Sequence, residues 1–128
     1  MELRNYKAGI KIKSEVDVVY AAITNPLSIE LWSGYKAEMP QNAGGEFSMW
    51  DGDICGRILE YRQNECVVQE WYFGEQKEPS IATITVFTAG NNSRVEINHT
   101  NIPENAYDNI VEGWEDYYLK ALKYFLEN

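Results

Sequence analysis

Residues 44–71, GGEFSMWDGDICGRILEYRQNECVVQEW, decide the fold of this 128-residue chain. Three runs that are rich in β-branched and aromatic residues begin within this stretch, at 46–50, 54–62 and 65–73. Asp51-Gly52-Asp53 separates the first two runs, and Gln63-Asn64 separates the second from the third. Short polar turns of this kind join neighbouring antiparallel strands. The stretch therefore predicts two hairpins of an antiparallel meander.

Three further runs outside this stretch extend the predicted sheet. Residues 81–88 and 93–101 read as strands joined through the turn sequence Ala89-Gly90-Asn91-Asn92. Residues 7–13 alternate between apolar and polar, which is the period of a half-buried strand. We expect about six strands, all antiparallel, with 7–13 at an edge or closing the curve.

Two short helices are predicted after the first strand. Ser14 is positioned to cap a helix over 16–24, whose apolar residues recur at helical spacing. Asn25-Pro26 ends that helix because the residue before proline is pushed out of helical geometry. A second short helix is predicted at about 27–32.

A long helix is predicted at about 105–126, with Asn105 as its cap. Its apolar stripe contains Ile110, Trp114, Tyr117, Ala121, Leu122 and Phe125. Gly113 lies inside this helix, where glycine costs about 1 kcal/mol relative to alanine. We expect either close packing or room for a ligand at Gly113 to offset that cost.

Composition and charge exclude several classes of protein. Eleven basic and twenty acidic residues give a net charge of -9, so a nucleic acid backbone or an anionic membrane would be repelled. No run of eighteen apolar residues occurs. Cys55 and Cys66 could form a cross-strand disulfide, but reduced thiols are the preferred interpretation. We expect a single cytoplasmic domain over 1–128, with no metal and no cofactor.

Several segments, in this order along the chain, carry a resemblance to a known family. They are Ala21-Ala22-Ile23-Thr24-Asn25-Pro26, Leu31-Trp32, Gly44-Gly45-Glu46-Phe47-Ser48-Met49, Asp51-Gly52, Gly56, Glu70-Trp71, Ala82-Thr83-Ile84-Thr85, Ile102-Pro103, Gly113-Trp114 and Tyr117-Tyr118. Together they resemble the C-terminal-domain type of the family named for activators of the heat-shock protein 90 ATPase, within the START-like, or SRPBCC, superfamily.

The resemblance implies an α+β helix-grip fold, in which a curved antiparallel sheet wraps around a long C-terminal helix. It also implies two kinds of partner, an apolar small molecule or a chaperone protein. Eukaryotic activators carry an additional N-terminal domain, whereas this chain starts at Met1 just before its first strand. We therefore expect the stand-alone architecture of the small bacterial members, and a monomer.

Aromatic residues and one histidine supply the candidate site. Alternation along 93–101 places Val95, Ile97, His99 and Asn101 on the face toward the long helix. The candidates for lining a cavity are Trp32, Phe47, Met49, Trp71, His99, Trp114 and Tyr118. The same large rings could instead fill the space between the sheet and the helix.

Three functions stay open on this evidence. A non-enzymatic ligand-binding module is preferred, and a co-chaperone-like interaction module and an aromatase or cyclase-like enzyme are the alternatives. The enzyme would use His99 to transfer a proton. Glu60 and Glu70 could form an acid and base pair, but surface ion pairs with Arg57 or Arg62 are the preferred interpretation. No catalytic residue is therefore assigned.

Overall fold

The computed structural model describes residues 2–128, and Met1, the first residue of the predicted domain 1–128, lies outside the described residues. Six strands form one sheet in the order β1-β6-β5-β4-β3-β2. The strands are β1 (Leu3–Ile12), β2 (Glu46–Met49), β3 (Ile54–Arg62), β4 (Cys66–Trp71), β5 (Ser80–Ala89) and β6 (Asn92–Pro103). Each neighbouring pair is antiparallel. The predicted meander is confirmed, and β1 lies at an edge, where it pairs with β6.

One bulge corrects the alternation that was predicted for the last strand. Val95, Ile97 and His99 are buried as expected, but Asn101 has a φ of 59° and is only half-buried. The β1–β6 register shifts at this point. The Asn101 amide donates a hydrogen bond to the Pro79 carbonyl at 3.0 Å. Ile102 therefore points into the core in its place.

Helices α1 (Val16–Thr24) and α2 (Pro26–Ser33) follow β1 as predicted. The predicted Ser14 cap is wrong, because Glu15 holds the cap position of α1 and makes no capping bond through its side chain. Asn25 instead caps α2, since its side-chain oxygen accepts the backbone N–H groups of Leu27 and Ser28 at 2.9 and 3.3 Å. Asn25 thus ends one helix and begins the next.

The C-terminal helix, residues 107–127, contains a π-helical segment in its middle. Its parts are α3 (Tyr107–Glu112), the π segment (Gly113–Leu119) and α4 (Lys120–Glu127). The predicted Asn105 cap is wrong, because Asn105 lies in a 3₁₀ turn at Glu104–Ala106 and Ala106 takes the cap position. In the wider turn the Lys120 N–H donates to the Glu115 carbonyl, five residues back.

The π segment changes which residues of the helix are buried. An α-helix advances by about 100° per residue, which puts Tyr117 in line with Ile110. The wider turn rotates the following residues, so that Tyr118 and Leu122 are buried and Tyr117 is 56% exposed. The buried residues of the helix are therefore Ile110, Trp114, Tyr118, Leu119 and Leu122. The predicted placement of Tyr117 on the apolar stripe is corrected accordingly.

Polar contacts fasten the C-terminal helix along β1. The Tyr6 hydroxyl donates to a Glu115 carboxylate oxygen at 2.7 Å, and the Lys123 ammonium donates to the Lys11 carbonyl at 2.7 Å. The Lys13 N–H donates to the Glu127 carboxylate at 2.8 Å. These contacts hold the helix in place, together with the buried stripe that packs against the concave face of the sheet.

Candidate ligand-binding cavity

A cavity of about 360 Å³ opens between the C-terminal helix and the turn that joins β2 to β3. Its walls come from the helix, from that turn, from the end of β4 and from the segment after α2. The lining residues are Tyr35, Trp50, Asp53, Ile54, Trp71, Asn109, Ile110, Gly113, Trp114, Tyr117 and Tyr118. The cavity is thus mainly aromatic, with polar groups at few positions.

The cavity has a buried floor and an exposed rim. Trp71, Trp114 and Tyr118 are almost completely buried and form the floor. Tyr35 and Tyr117 are half exposed, and Asp53 is exposed, so these residues form the rim. A molecule entering the cavity would pass the rim tyrosines and meet the tryptophan rings.

Stacked and edge-on rings hold the floor in place. The rings of Trp71 and Trp114 are stacked, with centroids 5.1 Å apart and an interplanar angle of 29°. Tyr118 meets Trp114 edge-on at 4.8 Å. The Trp71 indole N–H donates to the side-chain oxygen of the buried Gln69 at 2.9 Å. Aromatic pairs of these geometries contribute about 0.5–1.5 kcal/mol beyond their burial, so the floor is preformed.

The hydroxyl group of Tyr118 has no hydrogen-bond partner, although the residue is only 2% exposed. Burial raises the pKa of this phenol far above its ordinary value. The group therefore stays protonated and can donate as well as accept a hydrogen bond. A buried hydroxyl without a partner costs about 1–3 kcal/mol. Less than 1 Å² of this oxygen is accessible, so the hydroxyl lies behind the surface of the cavity rather than on it.

His99 is part of a closed hydrogen-bond chain behind the floor. The Trp114 indole N–H, which can only donate, is 2.9 Å from Nδ1 of His99. Nδ1 therefore accepts, and the ring proton lies on Nε2, 2.8 Å from Oγ of Ser80. The Ser80 hydroxyl in turn donates to the Thr100 carbonyl at 3.2 Å. Burial lowers the pKa of His99 to about 3, so the ring is neutral and both its nitrogens are engaged.

The structure divides the seven predicted cavity residues into two groups. Trp71, Trp114 and Tyr118 line the cavity together, and their role in binding stays a prediction. The other four, Trp32, Phe47, Met49 and His99, are buried elsewhere in the core. Trp32 contacts the far side of Tyr118, with ring centroids 4.9 Å apart. His99 contacts Trp71 and Trp114 from behind. These four support the wall, and none of them faces the cavity.

The sequence analysis missed the part of the lining that comes from turns. Trp50 has a φ of 52°, which takes its ring out of the alternation of β2 and brings it within 6.2 Å of Tyr118. Asp53 ends the same turn, and Tyr35 lies in the irregular segment after α2. No periodic pattern marks such positions. On the helix, the spacing of Asn109, Gly113 and Tyr117 by four residues was the available signal.

Gly113 lies at the wall of the cavity, and its surroundings decide between the two explanations offered for it. A Cβ atom built at Gly113 would meet nothing within 4 Å. The close-packing explanation is therefore wrong, and overpacking by a larger side chain is not expected. Because Gly113 lines the cavity, a larger side chain would occupy ligand space instead.

The remaining candidate groups form no site. Glu60 pairs with Arg62, and Glu70 pairs with Arg57 at 3.2 Å, all on the outer surface. Cys55 is exposed and Cys66 is half-buried, and both are free thiols. Within residues 2–128, no group of three or more His, Cys, Asp or Glu side chains could hold a metal ion. Nor does any helix in this range have the length and apolarity needed to cross a membrane.

Two larger depressions lie elsewhere on the surface. One, of about 470 Å³, lies over β1, β5 and β6 and is lined by polar side chains such as Thr83, Arg94 and Glu96. The other, of about 680 Å³, is a groove between α2 and α4 that includes Leu31 and Tyr124. Neither includes a buried polar group that lacks a partner. The smaller aromatic cavity is therefore the best candidate site.

A curved antiparallel sheet that grips a long helix, with a cavity between them, defines a START-like domain of the helix-grip type. The chain belongs to the family described as Activator of Hsp90 ATPase homolog 1-like protein, which matches residues 13–127. This confirms the family and the fold that the sequence motifs indicated.

Similar proteins include a human activator of the 90 kDa heat shock protein ATPase, homolog 1, which is 25% identical over 107 residues. That match covers 82% of this chain but only 32% of the human protein, so the chain spans about a third of this relative. An HSP90 activator from Plasmodium falciparum superposes with a TM-score of 0.88 at 21% identity, covering 98% of this chain and 97% of that one. CalU16 from Micromonospora echinospora gives a TM-score of 0.82 at 25% identity, covering 98% and 77%.

Proposed function

We propose that this domain binds a small, largely apolar molecule in the cavity between the C-terminal helix and the β2–β3 turn. The observation that carries the proposal is the floor of buried, contacting rings, formed by Trp71, Trp114 and Tyr118, in a cavity of about 360 Å³. Ligand sites are concave, mostly apolar and have a few polar groups, with volumes from about 300 Å³ upward. The cavity fits this description, at the small end of the range.

Two features of the residues that line the cavity lower the stability of the fold, and this loss supports a binding role for the cavity. A buried hydroxyl without a partner and a glycine within a helix each lower stability by about 1 kcal/mol or more. The residues that carry these two features, Tyr118 and Gly113, both line the same cavity. A phenylalanine and an alanine would serve a purely structural role better at these two positions.

A titration with a cavity-filling variant tests the proposal. Apolar molecules with one polar end should produce saturable shifts of the amide signals near Trp71 and Trp114 in isotope-labelled protein. Gly113→Leu should keep the fold, because nothing lies within 4 Å of its Cβ position, and it should abolish these shifts. Glu112→Leu is the matched control, since Glu112 immediately precedes Gly113, is exposed and does not line the cavity. Unchanged spectra across a broad panel, or equal binding by both variants, would overturn the proposal.

A co-chaperone role is the second candidate, and the names of the relatives favour it. The human relative and the P. falciparum structure are both described as activators of the 90 kDa heat shock protein or its ATPase. The charge of -9 on this chain would speed association with a basic patch on a chaperone. A chaperone ATPase assay with the 128-residue chain checks this role. Stimulation should decline as salt rises, because exposed charges are screened over about 10 Å at 0.1 M. No stimulation at tens of micromolar protein and low salt would argue against it.

A further inference from the structure

The charges around the cavity narrow the class of ligand that it would accept. Within the described part of the chain, Asp53 is the only acidic residue in the lining, and no lysine or arginine lines the cavity. The chain as a whole adds a field from its net charge of -9. A carboxylate or phosphate on a ligand would find no cation to pair with, and it would meet repulsion from both sources.

The rings of the cavity favour the opposite charge. Trp50, Trp71, Trp114, Tyr117 and Tyr118 all contribute to the lining. The face of an aromatic ring is negative, and tryptophan attracts a cation within about 6 Å most strongly. The same faces stack with flat ligand rings, as Trp71 and Trp114 already stack with each other. The aromatic wall and the carboxylate at the rim therefore both favour a positively charged ligand.

Asp53 sets where the polar end of such a ligand would lie. Its carboxylate is at the exposed rim and accepts hydrogen bonds. A ligand with its charged nitrogen near the mouth and its rings on the floor would contact both Asp53 and the tryptophan rings.

We propose that the cavity selects planar aromatic amines that are cationic at neutral pH, a selectivity that rests on the proposed small-molecule role. The fused rings lie against the tryptophan floor. The charged nitrogen pairs with Asp53 at the mouth of the cavity. The cavity excludes fatty acids and other anions of similar size.

Three probes that share one ring system test the charge preference. They are 9-aminoacridine, which is cationic at pH 7.5, acridine, which is neutral, and acridine-9-carboxylate, which is anionic. Isothermal titration calorimetry should show the cation binding about tenfold more tightly than the neutral compound. The anion should bind most weakly.

One variant and one control assign the preference to Asp53. Asp53→Asn should remove most of the advantage of the cation and leave the affinity for acridine unchanged. Asp108→Asn removes the same charge from an exposed position outside the cavity and should change neither affinity.

The outcomes distinguish this proposal from the broader one. Equal or tighter binding of the neutral or anionic probe would overturn the charge preference and leave small-molecule binding intact. Indistinguishable results for Asp53→Asn and Asp108→Asn would also overturn it. If none of the three probes binds, the aromatic-amine proposal fails, and the broader proposal is decided by the ligand panel with Gly113→Leu.

Discussion

Lowering the pH from 7 to 5 should destabilise this protein mainly through His99, the single histidine of the chain. In the unfolded chain the imidazole has a pKa near its ordinary value of 6.5, whereas burial lowers the pKa to about 3 in the folded protein. Between these values the unfolded state binds one more proton than the folded state, so stability falls as the pH decreases. Integrated from pH 7 to pH 5, this linkage lowers the free energy of unfolding by about 2 kcal/mol.

Urea denaturation at several pH values measures this loss. With a dependence on urea of about 2 kcal/mol per molar, the midpoint should fall by about 1 M between pH 7 and pH 5. His99→Gln is the matched variant, because its amide can accept from Trp114 and donate to Ser80 yet does not titrate. It should lose most of the pH dependence in this interval, whatever its stability at pH 7. The same slope in both proteins, or a wild-type midpoint that does not move, would refute the closed hydrogen-bond chain.

Two further predictions concern packing around the cavity floor. Trp114→Ala should lower the free energy of unfolding by about 3–5 kcal/mol, because it removes a ring that is 2% exposed and leaves His99 without its hydrogen-bond donor. Urea denaturation measures this loss, and a value below about 1 kcal/mol would contradict the packing of this ring. Gly56→Ala should cost at least about 3 kcal/mol or prevent folding, since its methyl group would overlap the Glu70 carbonyl oxygen. Gly113→Ala, whose methyl group meets nothing within 4 Å, is the control, and similar melting temperatures for the two variants would contradict the prediction.

The order of the strands could be predicted from the sequence because their signals are local. The turns at 51–53, 63–64 and 89–92 each join strands that are neighbours in the sheet. Alternation then fixes which face of each strand is buried. The helix caps were the weaker part, since Ser14 and Asn105 are cap residues by type but take no capping position. At these ends the packing of the helix, rather than the local propensity, determines where it begins.

The site could be predicted only in part, because the lining depends on two departures from regular structure. The left-handed turn at Trp50 brings a ring to the cavity that strand alternation does not place there. The π segment then moves Tyr117, which the helical period places on the buried stripe, to the rim. A period of 3.6 residues assumes that the helix is regular throughout, so it cannot signal this displacement. His99 is buried beside Trp71 and Trp114, with which the sequence analysis grouped it, but it lies behind the floor and not in the lining.

The π segment connects the shape of the cavity to its chemistry. A continuous α-helix would put Tyr117 in line with Ile110 and move Tyr118 away from the centre of that face. The wider turn instead buries Tyr118 against Trp114, where its hydroxyl has no partner, and leaves Tyr117 at the rim. It therefore brings a third ring to the floor, beside Trp71 and Trp114. Segments of this kind are rare and occur frequently at functional sites. The irregular turn, the glycine at its start and the tyrosine whose hydroxyl has no partner all line one cavity, which is the arrangement expected of a ligand site.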